Sequence, residues 1–78
     1  MDKKYLPDDF PYPLNEDMAA AYAAKEKFDF DPENSNLYWS LKDAVYQVKL
    51  TLKSLKTTGW VEPSLAEEIE EYFWSFLL

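Results

Sequence analysis

The apolar positions between residues 36 and 58 recur at the spacing of an α-helix. They are Leu37, Leu41, Ala44, Val45, Val48, Leu52 and Leu55. At a rotation of ~100° per residue, these side chains fall within a stripe about 100° wide, which is the width of a core-facing helix surface. The pattern predicts a helix over about 36–58 with this stripe in the core. Gly59, the only glycine, follows it and is the residue type that most often ends a helix.

Two further helices are predicted on either side of this one. Asn15 precedes an alanine-rich segment of high helix propensity and predicts a helix over about 15–28, with Asn15 as its N-cap. Ser64 and Glu67 have the spacing of a capping box and predict a last helix over 64–78. The expected inner face of the last helix consists of Leu65, Ile69, Tyr72, Phe73 and Phe76.

The first fourteen residues read as an extended arm, because three of the five prolines lie between positions 7 and 13. Its apolar residues favour an arm that packs across the helices. They are Tyr5, Leu6, Phe10, Tyr12 and Leu14. The alternative is a partly disordered tail. The predicted fold is therefore all-α: a single domain over 1–78, built as a small bundle of three antiparallel helices with a proline- and aromatic-rich N-terminal arm packed on it.

The chain lacks the residue types on which most catalytic and metal sites depend. It has no His, no Cys and no Arg. It therefore has no side chain that titrates near neutrality unperturbed, no thiolate and no bidentate anion clamp. A run of acids from Asp29 resembles a calcium loop, but Asn34 replaces its glycine and Ser40 replaces its last glutamate. We predict no catalytic residue, no metal and no cofactor, and hence no enzyme.

The charge balance predicts a basic protein partner. Fifteen acids against eight lysines give a formal net charge of −7, which repels nucleic acid and anionic membranes. No apolar stretch approaches the ~20 residues of a membrane span, and the first residues lack the apolar run of a signal peptide. The absence of Cys favours a reducing compartment. The expectation is a soluble cytoplasmic protein that binds neither nucleic acid nor membrane directly.

Trp74 is the first candidate for a contact residue. It lies opposite the predicted inner face of the last helix and is flanked by Glu67, Glu70 and Glu71. An aromatic anchor among carboxylates suits a basic partner, because apolar burial and charge pairing then act together. The alternative is that the N-terminal arm covers Trp74.

Trp39, Tyr46 and Leu50 form a second candidate surface on the middle helix. They lie ~180–220° from its core stripe, where a surface helix is normally polar. Either the first helix and the arm cover them, or they form a partner or homodimer surface. Between the two faces runs a lysine stripe, expected to be solvated or salt-bridged. It consists of Lys42, Lys49, Lys53 and Lys56.

Two functions are compatible with these features. The size, acidity and aromatic content resemble those of small inhibitors and anti-defence proteins from phages and mobile elements, although no motif assigns the chain to such a family. The leading hypothesis is an acidic, non-catalytic binding protein that occludes a basic site on a larger protein, such as a nucleic-acid-binding site whose ligand it mimics. The alternative is a structural, self-assembling helical subunit whose aromatic outer faces form a homo-oligomer interface.

Overall fold

The computed structural model describes residues 4–78, which form three α-helices and no strand. The elements are α1 (Leu14–Phe30), α2 (Ser35–Thr58) and α3 (Pro63–Trp74), with short 3-10 helices at Pro7–Asp9 and Ser75–Leu77. The helices pack as an elongated bundle of 39 × 19 × 19 Å. The predicted all-α bundle is confirmed for this part of the chain.

Helices α1 and α2 pack antiparallel along most of their length. A tight turn after Phe30 reverses the chain, so that Phe28 near the end of α1 meets Tyr38 near the start of α2, with ring centroids 5.9 Å apart. Towards the other end, the Thr51 hydroxyl donates a hydrogen bond to Asp17. The helix that carries the strongest apolar stripe therefore lies against α1 along most of its length.

Polar and glycine caps define both ends of α2. The Asn34 side chain accepts a hydrogen bond from the Asn36 N–H at 3.0 Å, which satisfies one of the free amides of the first turn. At the other end Gly59 has φ 83°, a left-handed conformation that other residues rarely adopt. The predicted glycine cap is confirmed, and the helix begins one residue before the predicted start.

The predicted N-caps of the other two helices are wrong. Asn15 lies inside α1, and its side chain accepts from the adjacent Glu16 N–H at 2.8 Å. Ser64 lies inside the first turn of α3, which begins at Pro63 without a side-chain cap. A proline stands at each start, Pro13 before α1 and Pro63 as the first residue of α3. Because proline fixes φ near the helical value and needs no N–H partner, each helix starts before the predicted cap.

One apolar core joins the three helices. The predicted stripe of α2 supplies its centre, and the predicted inner face of α3 packs against it, with Ala66 as an additional member. The buried residues are Leu14, Met18, Ala21, Tyr22, Leu41, Val45, Val48, Leu52, Val61, Ala66, Ile69, Phe73 and Phe76. Leu37, Ala44 and Leu55 lie half-buried at the edges of the α2 stripe.

Tyr22 of α1 connects α3 and the arm. Its ring centroid lies 5.1 Å from that of Phe73 and 5.8 Å from that of Phe76. Its hydroxyl donates a hydrogen bond of 2.7 Å to the Tyr5 carbonyl. The Tyr5 ring in turn lies 5.4 Å from Tyr72 of α3. The arm is therefore held over the seam between α1 and α3.

The arm contributes fewer core residues than predicted. Tyr5 and Phe10 pack against the core, whereas Leu6 is 52% exposed and Tyr12 is 73% exposed. Leu14, expected in the arm, is a buried residue of α1. The 3-10 turn, closed by the Asp9 N–H to the Leu6 carbonyl at 3.0 Å, folds the arm so that only part of it faces the helices.

We expect Leu52→Ala to lower the free energy of unfolding by about 2–5 kcal/mol, because Leu52 is fully buried and its truncation leaves a cavity. Leu50→Ala is the matched control, since Leu50 lies on the same helix and is 42% exposed. Urea denaturation of both variants checks this. Equal stability losses would show that the core face of α2 is assigned wrongly.

Tyr22→Phe should lower the free energy of unfolding by about 1 kcal/mol at pH 7, because the bond to the Tyr5 carbonyl is lost. Burial also raises the pKa of the Tyr22 hydroxyl well above its usual range. The hydroxyl's contribution is complete below pH ~10, the ordinary tyrosine pKa, and is lost as the pH rises above it. The difference between parent and variant should therefore shrink in urea denaturation above pH ~10. A difference that stays constant or widens would contradict this.

Candidate protein-binding site

The packing of α3 on α2 determines where Trp74 lies. The two helices run antiparallel: Ala66 near the start of α3 shares a depression with Lys56, and Trp74 at its end lies beside Lys49. Phe73 is fully buried in the core. Because one residue of helix rotates the side chain by ~100°, Trp74 is directed away from the core and is 42% exposed.

Trp74 lines an open groove at the side of the α2–α3 pair, which we name the Trp74 groove. Its lining consists of Lys49, Glu67, Glu70, Glu71, Trp74, Ser75 and Leu78. The structure thus brings together all four residues that the sequence singled out in α3. The arm lies on another side of this helix, where the Lys4 N–H donates to the Tyr72 hydroxyl at 3.3 Å. Trp74 is therefore not a core residue beneath the arm.

The charge of the Trp74 groove is mixed. The Lys49 ammonium lies 5.6 Å from the Trp74 ring centroid and 3.8 Å from a Glu70 carboxylate oxygen. Because these contacts are partly exposed, each contributes at most about 1 kcal/mol to the free energy of folding. Since Lys49 offsets Glu70, the acidic character of the groove comes from Glu67 and Glu71. Sequence reasoning placed Lys49 in a separate stripe, because the contact depends on the register between α2 and α3.

Trp39, Tyr46 and Leu50 form a row on α2, which we name the outer face. They are 56%, 49% and 42% exposed, so neither α1 nor the described part of the arm covers them fully. The Lys42 ammonium lies 4.8 Å from the Trp39 ring centroid. Lys49 follows Tyr46 by three residues, the spacing of neighbours on a helix surface, and also touches Trp74. The outer face and the Trp74 groove are therefore adjacent.

The arrangement is suited to binding a surface. Apolar rings beside lysines and carboxylates can bury area and pair charges with a partner. Within residues 4–78, no three carboxylates come together as a metal site. None of the helices described here is long and apolar enough to cross a membrane.

Two exposed aromatic residues were missed by the sequence reasoning. Phe30, the last residue of α1, is 94% exposed, and Trp60, after the Gly59 cap, is 75% exposed. Phe30 stands between Asp29 and Asp31. An aromatic residue inside an acidic turn was a signal available in the sequence, although only the structure shows that no described residue covers it.

Known proteins do not assign a function to these surfaces. Comparisons of the chain with family models, with curated proteins and with solved structures found no match. The site is therefore defined by its own geometry: an exposed tryptophan, a lysine on its ring, three glutamates beside it and an adjoining aromatic row.

We expect Trp74→Ala to reduce the melting temperature only slightly, because the partly exposed ring lies outside the core. Phe73→Ala, one residue earlier, is the matched comparison. It should lower the free energy of unfolding by about 3–5 kcal/mol, because Phe73 is fully buried. Thermal melting followed by circular dichroism measures both. A large destabilisation by Trp74→Ala would show that the ring belongs to the core.

Proposed function

We propose that this protein is a small, acidic, non-catalytic binding protein that occludes a basic site on a larger protein. The observation that carries the proposal is the Trp74 groove, in which an exposed tryptophan lies beside Glu67 and Glu71 while the arm is bound elsewhere. Exposed tryptophans near the centre of an interface commonly dominate binding energy. A partner with lysines or arginines around an apolar pocket fits this groove.

Binding would combine two effects. Burial of a large aromatic side chain contributes about 1.5–3 kcal/mol to the binding free energy. A tryptophan loses little side-chain freedom when it is buried in this way. The net charge of −7 attracts a basic surface before contact and raises the association rate. The protein would then inhibit by occupying the site, without turnover. A nucleic-acid-binding site is a suitable target, because the ligand of such a site is anionic like this protein. A cytoplasmic location fits a chain without Cys.

Self-assembly is the second candidate function, and the outer face favours it. Three large apolar side chains lie there in one row, and each is 42–56% exposed. The measurement that separates the two functions is the mass in solution. A monomer agrees with occlusion of a larger partner, and a stable dimer that buries Trp39 favours self-assembly.

The Trp74→Ala variant should bind its partner at least about 2 kcal/mol more weakly, as expected when a central aromatic anchor is truncated. The experiment uses the parent and the variant as bait in parallel captures from a lysate of the cells in which the protein occurs. Proteins retained by the parent and lost by the variant are then isolated and titrated by calorimetry. A partner that binds the folded variant as tightly as the parent would show that the contact lies elsewhere.

The same titration tests the electrostatic part of the proposal. Affinity should fall as salt increases, because exposed charges are screened over ~8 Å at 0.15 M ionic strength. Glu71→Gln should weaken binding, and Glu68→Gln is its control, since Glu68 is exposed on α3 but does not line the groove. Recognition through acids would be contradicted if the affinity did not change with salt and the two variants bound the partner equally tightly.

A further inference from the structure

A second groove lies between α1 and α2, lined mainly by small side chains. Ala20, Ala23 and Ala24 of α1 form one side, and Leu37 and Ser40 of α2 form the other. Its continuation towards the turn is lined by Ala23, Glu26, Lys27, Phe30, Asp31 and Leu37. We name the whole depression the alanine groove. Phe30 stands at its end with 94% of its surface exposed.

The alanine groove is shaped to accept a helix. On one side of the α1–α2 pair, α3 packs against Tyr22 and Val48, but on the side of Ala20 and Ser40 no described element covers the seam. Small side chains let another backbone approach closely, as at tight helix contacts. From Ala20 to Phe30 the rise of 1.5 Å per residue gives about 15 Å, or three helical turns. A short helix laid along the seam would also cover Phe30.

Charge indicates the chemistry of that helix. Glu26 and Asp31 line the groove, and Lys27 is the single cation among its lining residues. The lysines of α2 lie elsewhere: Lys42 is over Trp39, and Lys49 is over Trp74. An apolar floor with acids along its edge is complementary to a helix with an apolar face and basic flanks.

We propose that the alanine groove binds a cationic amphipathic helix of a partner protein. The apolar side chains of that helix contact Ala23, Leu37 and Phe30, and its lysines or arginines pair with Glu26 and Asp31. This surface is separate from the Trp74 groove, and the inference does not depend on the function proposed above.

The test is a titration of the full isotope-labelled chain with a synthetic helical peptide, followed by two-dimensional NMR. The probe is an 18-residue peptide with leucines on one face and lysines on the other, and a peptide with glutamates in place of the lysines is the control. Saturable binding of the lysine peptide should shift the amide signals of Ala20, Ala23 and Leu37. The glutamate peptide should leave them unchanged.

A matched pair of variants locates the binding. Ala23→Lys places a long cation in the groove and should raise the dissociation constant about tenfold or more, a change of ~1.4 kcal/mol. Ala19→Lys adds the same charge at another exposed position of α1 that does not line the groove, and should bind like the parent. Phe30→Ala should also weaken binding, whereas Trp74→Ala should not.

Three results would overturn the inference. The first is no saturable binding, or equal binding of both peptides. The second is binding that Trp74→Ala abolishes and Ala23→Lys leaves intact, which would place the peptide in the Trp74 groove. The third is dimerisation of the free protein, seen by sedimentation, with concentration-dependent shifts at Ala20 and Ala23, which would make a second copy the occupant.

Discussion

The packing of Tyr22 against the rings of α3 is the contact on which the rest of the structure depends. A domain of this size buries only about 60% of the surface of its unfolded chain, and this one has no disulfide to compensate. Aromatic side chains bury the most area per residue, about 150–250 Å² each. Tyr22 contacts Phe73 and Phe76 through its ring and the Tyr5 carbonyl through its hydroxyl. One side chain thus connects α1, α3 and the arm.

The same packing accounts for the position of the candidate site. Once Tyr72 and Phe73 face α1 and the arm, helical rotation places Trp74 towards Lys49 of α2, which also pairs with Glu70 of α3. The described part of the arm does not cover Trp74, because its Tyr5 ring lies against Tyr72. The exposed tryptophan is therefore a consequence of how the core is packed. The surface that we propose for binding therefore adjoins Phe73, which is fully buried in the core.

The features that sequence reasoning predicted well are those with strong periodicity. The stripe of α2 and the inner face of α3 repeat over several turns, and both are in the core. The predicted N-caps Asn15 and Ser64 were wrong, because α1 begins one residue earlier, after Pro13, and α3 begins at Pro63. The part played by Lys49 depends on the register between α2 and α3, which no one-dimensional pattern contains. The exposure of Phe30 likewise depends on tertiary packing, because no described residue covers the end of α1.

The central claim is that Trp74 is the anchor of a protein–protein contact, and hydroxyl-radical footprinting of the complex tests it most directly. The three tryptophans are internal reporters, since Trp39, Trp60 and Trp74 are 56%, 75% and 42% exposed in the chain alone. Trp60 lies at the turn between α2 and α3, away from the groove, and serves as the control. The account predicts that the bound partner strongly slows oxidation of Trp74 and leaves that of Trp60 unchanged. Oxidation of Trp74 at the same rate in the complex as in the free protein would contradict it.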